Sequence, residues 1–408
     1  MVRVARIRGL LAACLLAALA VSACEKATRR NAVPNALQTK AFLPNYPTSR
    51  YFPMDAGHVA EFERAFLNSN EFEKEDLAKH GHKGPLPRAD YLAVSGGGDG
   101  GAFGAGLLNG WTKAGTRPVF KMVTGISTGA LIAPFAFLGS EYDEKLRAFY
   151  TNISAKDVSR KRSLLTLVYQ DAITDTTPLW NLVRKAVTQE MLDKIAVEHL
   201  RGRILLIATT NLDARVPVIW NITEIAAGRR PDALELVHRI LIASAAIPGT
   251  FPPVMFDVVA GGKSYQEMHV DGATTAQVFA YPAAVHVFQL VPRERRLFII
   301  RNARLDPEWA QTDRRILPIA MRAIACLVQY EGMGDLFTLH TLTQRDNIEY
   351  NLAFIPPTFD TPHTSLFDPT YMRALYETGE RMAVPGTDWW WKNPPILLSG
   401  LKEEQPVY

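Results

Sequence analysis

Val119-Phe120-Lys121-Met122-Val123-Thr124-Gly125-Ile126-Ser127-Thr128-Gly129-Ala130 is the stretch that decides the fold class. A short apolar run leads into Gly-x-Ser-x-Gly, and an apolar stretch then continues from Ala130 to Leu138. The order predicts a strand over 119–123, a tight turn and a helix. Gly125 and Gly129 flank the serine because such a turn is too sharp for larger side chains. The geometry lifts the Ser127 hydroxyl above a sheet at a helix N-terminus, where backbone dipoles favour negative charge. The five-residue pattern alone is common; its strand and helix neighbours give Ser127 its reading as a nucleophile.

One unit upstream the same order recurs. Tyr91-Leu92-Ala93-Val94 reads as a strand, Ser95-Gly96-Gly97-Gly98-Asp99-Gly100-Gly101 as a loop, and Ala102 to Ala114 as a helix. Consecutive glycines let several N–H groups point into one small volume, which suits a phosphate or the oxyanion of a tetrahedral intermediate. Gly96, Gly98 and Gly101 also satisfy Gly-x-Gly-x-x-Gly. A dinucleotide site would place an acid about twenty residues on, and there is no Asp or Glu from Leu107 to Ser140. Neither glycine turn is followed by Lys-Ser or Lys-Thr, which removes a P-loop.

Downstream, Ile204 to Thr209, Val216 to Ile222 and Leu297 to Ile300 are continuous apolar runs. Continuous rather than alternating runs suit strands covered on both faces, so the class is α/β with a central mainly parallel or mixed sheet flanked by helices. Asp55 to His80 and Leu179 to His199 have helical spacing, and a helical section is expected from about Glu308. His269-Val270-Asp271-Gly272-Ala273 places an acid at the end of a short strand. Such an acid can accept a proton from a neighbouring turn, although an Asp-Gly pair by itself is most often only a turn.

Together these motifs resemble the patatin-like phospholipase family. Gly96 to Gly101 is similar to its oxyanion loop, Gly125 to Gly129 to its nucleophile elbow, and Asp271-Gly272-Ala273 to the motif carrying its catalytic acid. Ala243-Ser244-Ala245-Ala246-Ile247-Pro248-Gly249-Thr250-Phe251-Pro252-Pro253 resembles the block between elbow and acid. The resemblance spans about Asp90 to Tyr281. It implies a three-layer fold and a Ser127–Asp271 dyad, with Gly96, Gly97 and Gly98 binding the oxyanion. A fatty acyl ester of a lipid or phospholipid is the implied substrate, with no cofactor and no metal. One position departs: where the family usually has Arg or Lys after its glycine triplet and one further residue, this chain has Gly100. Two other readings stay open. A Ser-acid-His triad would draw on His269, His286, His340 or His363, and a non-catalytic envelope lipoprotein would bind acyl chains or a partner without turnover.

The first residues read as an address. Arg3, Arg6 and Arg8 precede the apolar or small run Gly9 to Ala23, which ends in Val21-Ser22-Ala23-Cys24. That run is short for a bilayer span and has the layout of a cleaved secretory signal. Its end resembles a bacterial lipobox, so Cys24 is the expected lipidation site, holding the protein at the bacterial envelope, with the outer membrane expected rather than the inner. The expected organisation is a signal over 1–23, then lipidated cysteine, tether and N-terminal helix over 24–85. A catalytic domain over 86–305 and a helical extension over 306–408 follow.

Composition sets bounds on partners. The chain has 408 residues, 48% hydrophobic and 21% charged, with a formal net charge of +4. Removing the signal arginines leaves it near neutral, which gives no electrostatic footprint for nucleic acid. Loss of Cys14 with the signal and lipidation of Cys24 leave Cys326, read as a buried structural thiol. Trp389-Trp390-Trp391 is expected to pack a terminal segment onto the body.

Overall fold

The computed structural model describes residues 29–162, 171–383 and 389–394. Cys24 and the proposed signal lie outside the described residues. Among the described residues, nine strands build one mixed sheet. In chain order they are β1 (Arg50–Tyr51), β2 (Ala89–Val94), β3 (Met122–Ile126), β4 (Ile204–Asn211), β5 (Val216–Asn221), β6 (Val254–Ala260), β7 (Lys263–Asp271), β8 (Arg295–Arg301) and β9 (Glu349–Phe354). The central five are parallel in the order β4-β3-β2-β8-β9. β5 and then β1 extend the β4 edge antiparallel, and β6 and β7 form a hairpin.

Helices α1 (Ala56–Lys79), α2 (Gly101–Lys113), α3 (Thr128–Leu138), α4 (Ala233–Ser244), α5 (Ile316–Arg345) and α6 (Pro369–Ala383) cover both faces. Alternate residues along each strand enter opposite cores. Leu92, Val94, Val123, Leu205, Ile207 and Ile300 pack with α2, α3, α4 and α6. Tyr91, Ala93, Met122, Leu206 and Ile299 pack with Phe62 and Phe66 of α1 and Leu336 and Leu339 of α5. Because both faces are buried, the strands are apolar throughout rather than alternating, which is why they are legible as continuous runs.

The structure corrects several element readings. β3 begins at Met122, since Val119 is 77% exposed, and it runs through Gly125 and Ile126 to the serine. The span Leu179 to His199 is two helices, Thr177–Ala186 and Gln189–Leu200, with the Thr188 side chain capping the second. The tether reading fails from Arg29 onward. Leu43 and Tyr46 are buried, Phe42 bridges to Val259, and buried Arg50 forms a bidentate pair with Glu267, at 2.5 and 3.1 Å. Few apolar anchors among polar residues and prolines suffice to dock the segment. The C-terminal section is not all helix, because β9 joins the main sheet beside β8. Trp389 and Trp390 are buried against Trp111 and Phe298, as expected of a packed terminal segment.

Candidate active site

The sheet register brings the serine and the acid together. The last β3 residue, Ile126, pairs with Ala208 of β4, and the next β4 residue, Thr209, pairs with Asp271 at the end of β7. β7 therefore enters, from the opposite direction, the lane beside β4 that β3 vacates. Ser127, one residue beyond β3, meets Asp271 there: Ser127 Oγ donates to Asp271 Oδ2 at 2.7 Å.

Ser127 has φ 54° and ψ −122°, a conformation costly for a residue with a side chain. Its N–H donates to Ser244 Oγ at 2.9 Å, and that hydroxyl donates to the Ala208 carbonyl at 2.7 Å. One α4 side chain thus ties the strained turn to β4. Gly125 and Gly129 sit where backbone meets backbone. A Cβ on Gly125 would overlap the Gly129 carbonyl, and one on Gly129 would overlap the Val94 carbonyl.

Asp271 is 3% exposed and Ser127 6%. Burial pushes the Asp271 carboxyl up to about 7, with the hydrogen bonds from Ser127 and the Ala273 N–H pulling it partly back. The Ala273 N–H reaches Oδ1 at 2.8 Å, which aims Oδ2 at the serine. Gly272 permits the turn, since a Cβ there would lie 2.6 Å from the Ala208 carbonyl.

The glycine loop lies beside Ser127: a Cβ on Gly96 would stand 3.4 Å from both Ser127 Cβ and Ala273 Cβ. The Gly96 N–H donates to the Gln277 carbonyl at 2.9 Å, which corrects the expected oxyanion set, because that donor is already engaged. The Gly97, Gly98 and Thr128 N–H groups make no hydrogen bond among the described residues. Gly101 starts α2 against Thr128, whose Oγ1 its Cβ would overlap.

Asn302, which no sequence motif marks, holds the loop from β8. Its Oδ1 accepts from the Gly104 N–H at 3.1 Å and its Nδ2 donates to the Ser95 carbonyl at 2.9 Å. Its own carbonyl presses on Gly97 and Gly100, where any Cβ would overlap it. Gly97 needs its freedom twice over, having φ 151°. In this chain the Asn302 carbonyl stands where the Cβ of the family's usual basic residue would lie. Gly100→Arg, the substitution that restores the family pattern, is expected to lower Tm by about 5 °C or more through forced backbone displacement, read by thermal unfolding.

None of the candidate histidines reaches the dyad among the described residues. His269 is buried on Thr209 Oγ1 (2.8 Å) and Glu267 Oε2 (3.1 Å). His363 Nε2 meets Asp99 Oδ2 at 2.8 Å, and the same oxygen accepts from the Phe367 N–H at 2.7 Å. His340 packs edge-on to Tyr350, and the His286 N–H donates to Glu63. A cleft of about 260 Å³ is lined by Gly97, Asp99 and Gly100 of the loop and by Ala325, Cys326 and Gln329 of α5. Ser127 and Asp271 do not line it.

Residues 92–284, which hold the elbow, the glycine loop and Asp271, match the family described as patatin-like phospholipase. That segment is similar to a patatin-like phospholipase domain. The match accounts for the α/β architecture with its mixed sheet and helical layers. No curated protein matches the chain. Among solved structures, VipD from Legionella pneumophila is similar at 11% identity and a TM-score of 0.37, over 74% of this chain and 67% of that one. ExoU of the Pseudomonas aeruginosa type III secretion system, in complex with SpcU, is similar at 13% identity and a TM-score of 0.29. That alignment covers 74% of this chain and 52% of ExoU. This chain therefore spans about half the length of ExoU. Among the described residues, no helix is long and apolar enough to cross a membrane.

Proposed function

We propose that the patatin-like domain is a serine lipid acyl hydrolase, of phospholipase A or lysophospholipase type, working through Ser127 and Asp271. The observation that carries this reading is the 2.7 Å hydrogen bond from a serine at positive φ to a buried carboxylate. A base with a pKa of about 7 suits proton transfer at neutral pH.

Asp271 Oδ2 takes the Ser127 proton as Oγ attacks the acyl carbonyl carbon. The carbonyl π electrons move onto oxygen, and the N–H groups of Gly97, Gly98 and Thr128 receive that oxyanion. Collapse expels the alkoxide, which takes the proton back from Asp271, and leaves an acyl-serine. Asp271 then deprotonates a water that attacks the acyl-serine. The fatty acid leaves, and Ser127 recovers its proton. The substrate class, a fatty acyl ester of a phospholipid or lysophospholipid, rests on the family. Lipidation of Cys24 and residence at the bacterial envelope, at the outer membrane in preference to the inner, belong to the same proposal and rest on the sequence alone.

The test is mass spectrometry of protein extracted from bacterial membranes, treated with a fluorophosphonate probe and digested. The expected result is probe on the Ser127 peptide and a diacylglyceryl group on an N-terminal Cys24. Folded protein that takes no probe sinks the dyad and leaves a non-catalytic lipid- or partner-binding lipoprotein. An unmodified residue before or at Cys24 sinks the anchor.

A further inference from the structure

Helix α5 changes character along its length. From Ala323 to Val328 every residue is exposed, which corrects the expectation of a buried thiol at Cys326. From Glu331 onward the helix turns two acids toward the site. Glu331 Oε2 accepts from Gln277 Nε2 at 3.0 Å, and Asp335 Oδ2 accepts from the Gln277 and Val278 N–H groups at 2.6 and 3.2 Å. Four residues apart, the two acids share one face of the helix.

A buried cation answers them. Arg301, the last residue of β8, is 2% exposed, and its Nε and Nη1 make no hydrogen bond among the described residues. α5 is notched to admit it, since a Cβ on Gly332 would overlap Arg301 Nη2. Burial pushes the Arg301 guanidinium down to about 10 and the Asp335 carboxyl up to about 6, so both stay charged at pH 7. A buried charge is costly without opposite charge nearby, and Asp335 and Glu331 are the carboxylates that bear on this one.

What this charged wall holds is Gln277, itself 2% exposed. The Gln277 carbonyl accepts from the Gly96 N–H of the glycine loop at 2.9 Å. Its Nε2 donates to the Ala273 carbonyl at 2.7 Å as well as to Glu331, and the Ala273 N–H is the group that aims Asp271. The point where a Gly96 Cβ would stand, 3.4 Å from Ser127 Cβ and Ala273 Cβ, is 3.5 Å from Gln277 Oε1. One residue therefore joins the glycine loop and the turn of the acid, and ties both to α5.

Resting on the Ser127–Asp271 reading, we propose that Gln277 is a positioning residue for the hydrolysis. Its amide braces the acid turn against Glu331 of α5, so that Asp271 keeps its place beside Ser127 and the glycine loop.

Gln277→Met keeps the side chain's length and both backbone bonds, so it removes the amide alone. In the full chain it is expected to lower kcat for p-nitrophenyl butyrate about tenfold or more with KM within about twofold, because a displaced reacting group costs turnover rather than binding. Gln277→Glu sets an acceptor against the Ala273 carbonyl and against Glu331, and should cost about a further tenfold. Adding Glu331→Gln to it puts a donor back on α5 and should return kcat to the level of Gln277→Met. This pair carries the test if Gln277→Met does not fold. Thermal unfolding and the rate of fluorophosphonate labelling at Ser127 are read on the same samples. Folded Gln277→Met with unchanged kcat overturns the proposal. So does a loss that follows the unfolding midpoint across the variants with no recovery in the double variant, which would make Gln277 a packing residue only. Folded unmutated protein that takes no label fails the dyad reading first, and the positioning role falls with it.

Discussion

Ser127→Ala is expected to lower kcat for ester hydrolysis by about 10⁴-fold or more, the scale on which nucleophile loss acts in serine hydrolases. The size follows from the site's economy. Among the described residues only one side chain, Asp271, hydrogen-bonds the serine oxygen, and no histidine contacts either member of the pair to support a water-based route. The fold should survive, because the backbone contacts that hold the turn, Ser127 N–H to Ser244 and Gly125 against Gly129, do not involve the hydroxyl. The measurement is fatty acid release from phospholipid and from a soluble ester, beside the thermal unfolding midpoint. A variant that unfolds normally and retains wild-type turnover would remove Ser127 from the chemistry.

Asp271→Asn is expected to cost about 10³- to 10⁴-fold in kcat while raising stability at alkaline pH. In the folded protein the carboxyl sits at about 7, above its ordinary value, because burial disfavours the charged form. Folding thus favours the protonated acid. That contribution is fully present below about pH 4 and is lost as pH rises through about 7. Asparagine cannot ionise, so the variant escapes the loss, a gain on the order of 4 kcal/mol above pH 7. Its Tm should exceed that of the unmutated protein by about 5 °C at pH 8, with the difference vanishing near pH 4. In the unmutated protein kcat/KM should rise with pH and level off above about pH 7, as the base loses its proton. A pH-independent rate, or an Asp271→Asn variant destabilised at every pH, would contradict this account.

The parts of the site legible in sequence are those fixed by local rules. A strand must end, a chain must turn sharply and a helix must begin within a few residues, and only glycines flanking Ser127 permit it. Asp271 is weaker on local grounds, since its role depends on β7 pairing with β4 residues some sixty positions earlier. Asn302 acts as a support through a contact 207 residues away and lies in no motif, while Ser244 lies in the block before the acid but its bond to the elbow, 117 residues away, is not readable from that block. The Gly96 N–H departs from its expected oxyanion role for the same reason: its partner, the Gln277 carbonyl, is a distant backbone group. β9 is hidden because polar Asn351 interrupts Glu349-Tyr350-Asn351-Leu352-Ala353-Phe354, and its place is set by backbone pairing with distant β8 and a bridge to Trp391. Cys326 differs in the opposite way: its apolar helical pattern reads as burial, and the structure leaves the thiol exposed.

The shared lane beside β4 has a consequence for the protein's life before it is finished. Ser127 leaves the ribosome well ahead of Asp271, and between them lie β4, β5, α4 and both strands of the hairpin. Domains assemble as their sequence becomes available, so a growing or truncated chain can hold the serine but not its base. On the proposed reading the reactive pair forms only once β7 has paired with β4, so a chain that stops short of β7 holds the serine without its base and is inert without an inhibitor.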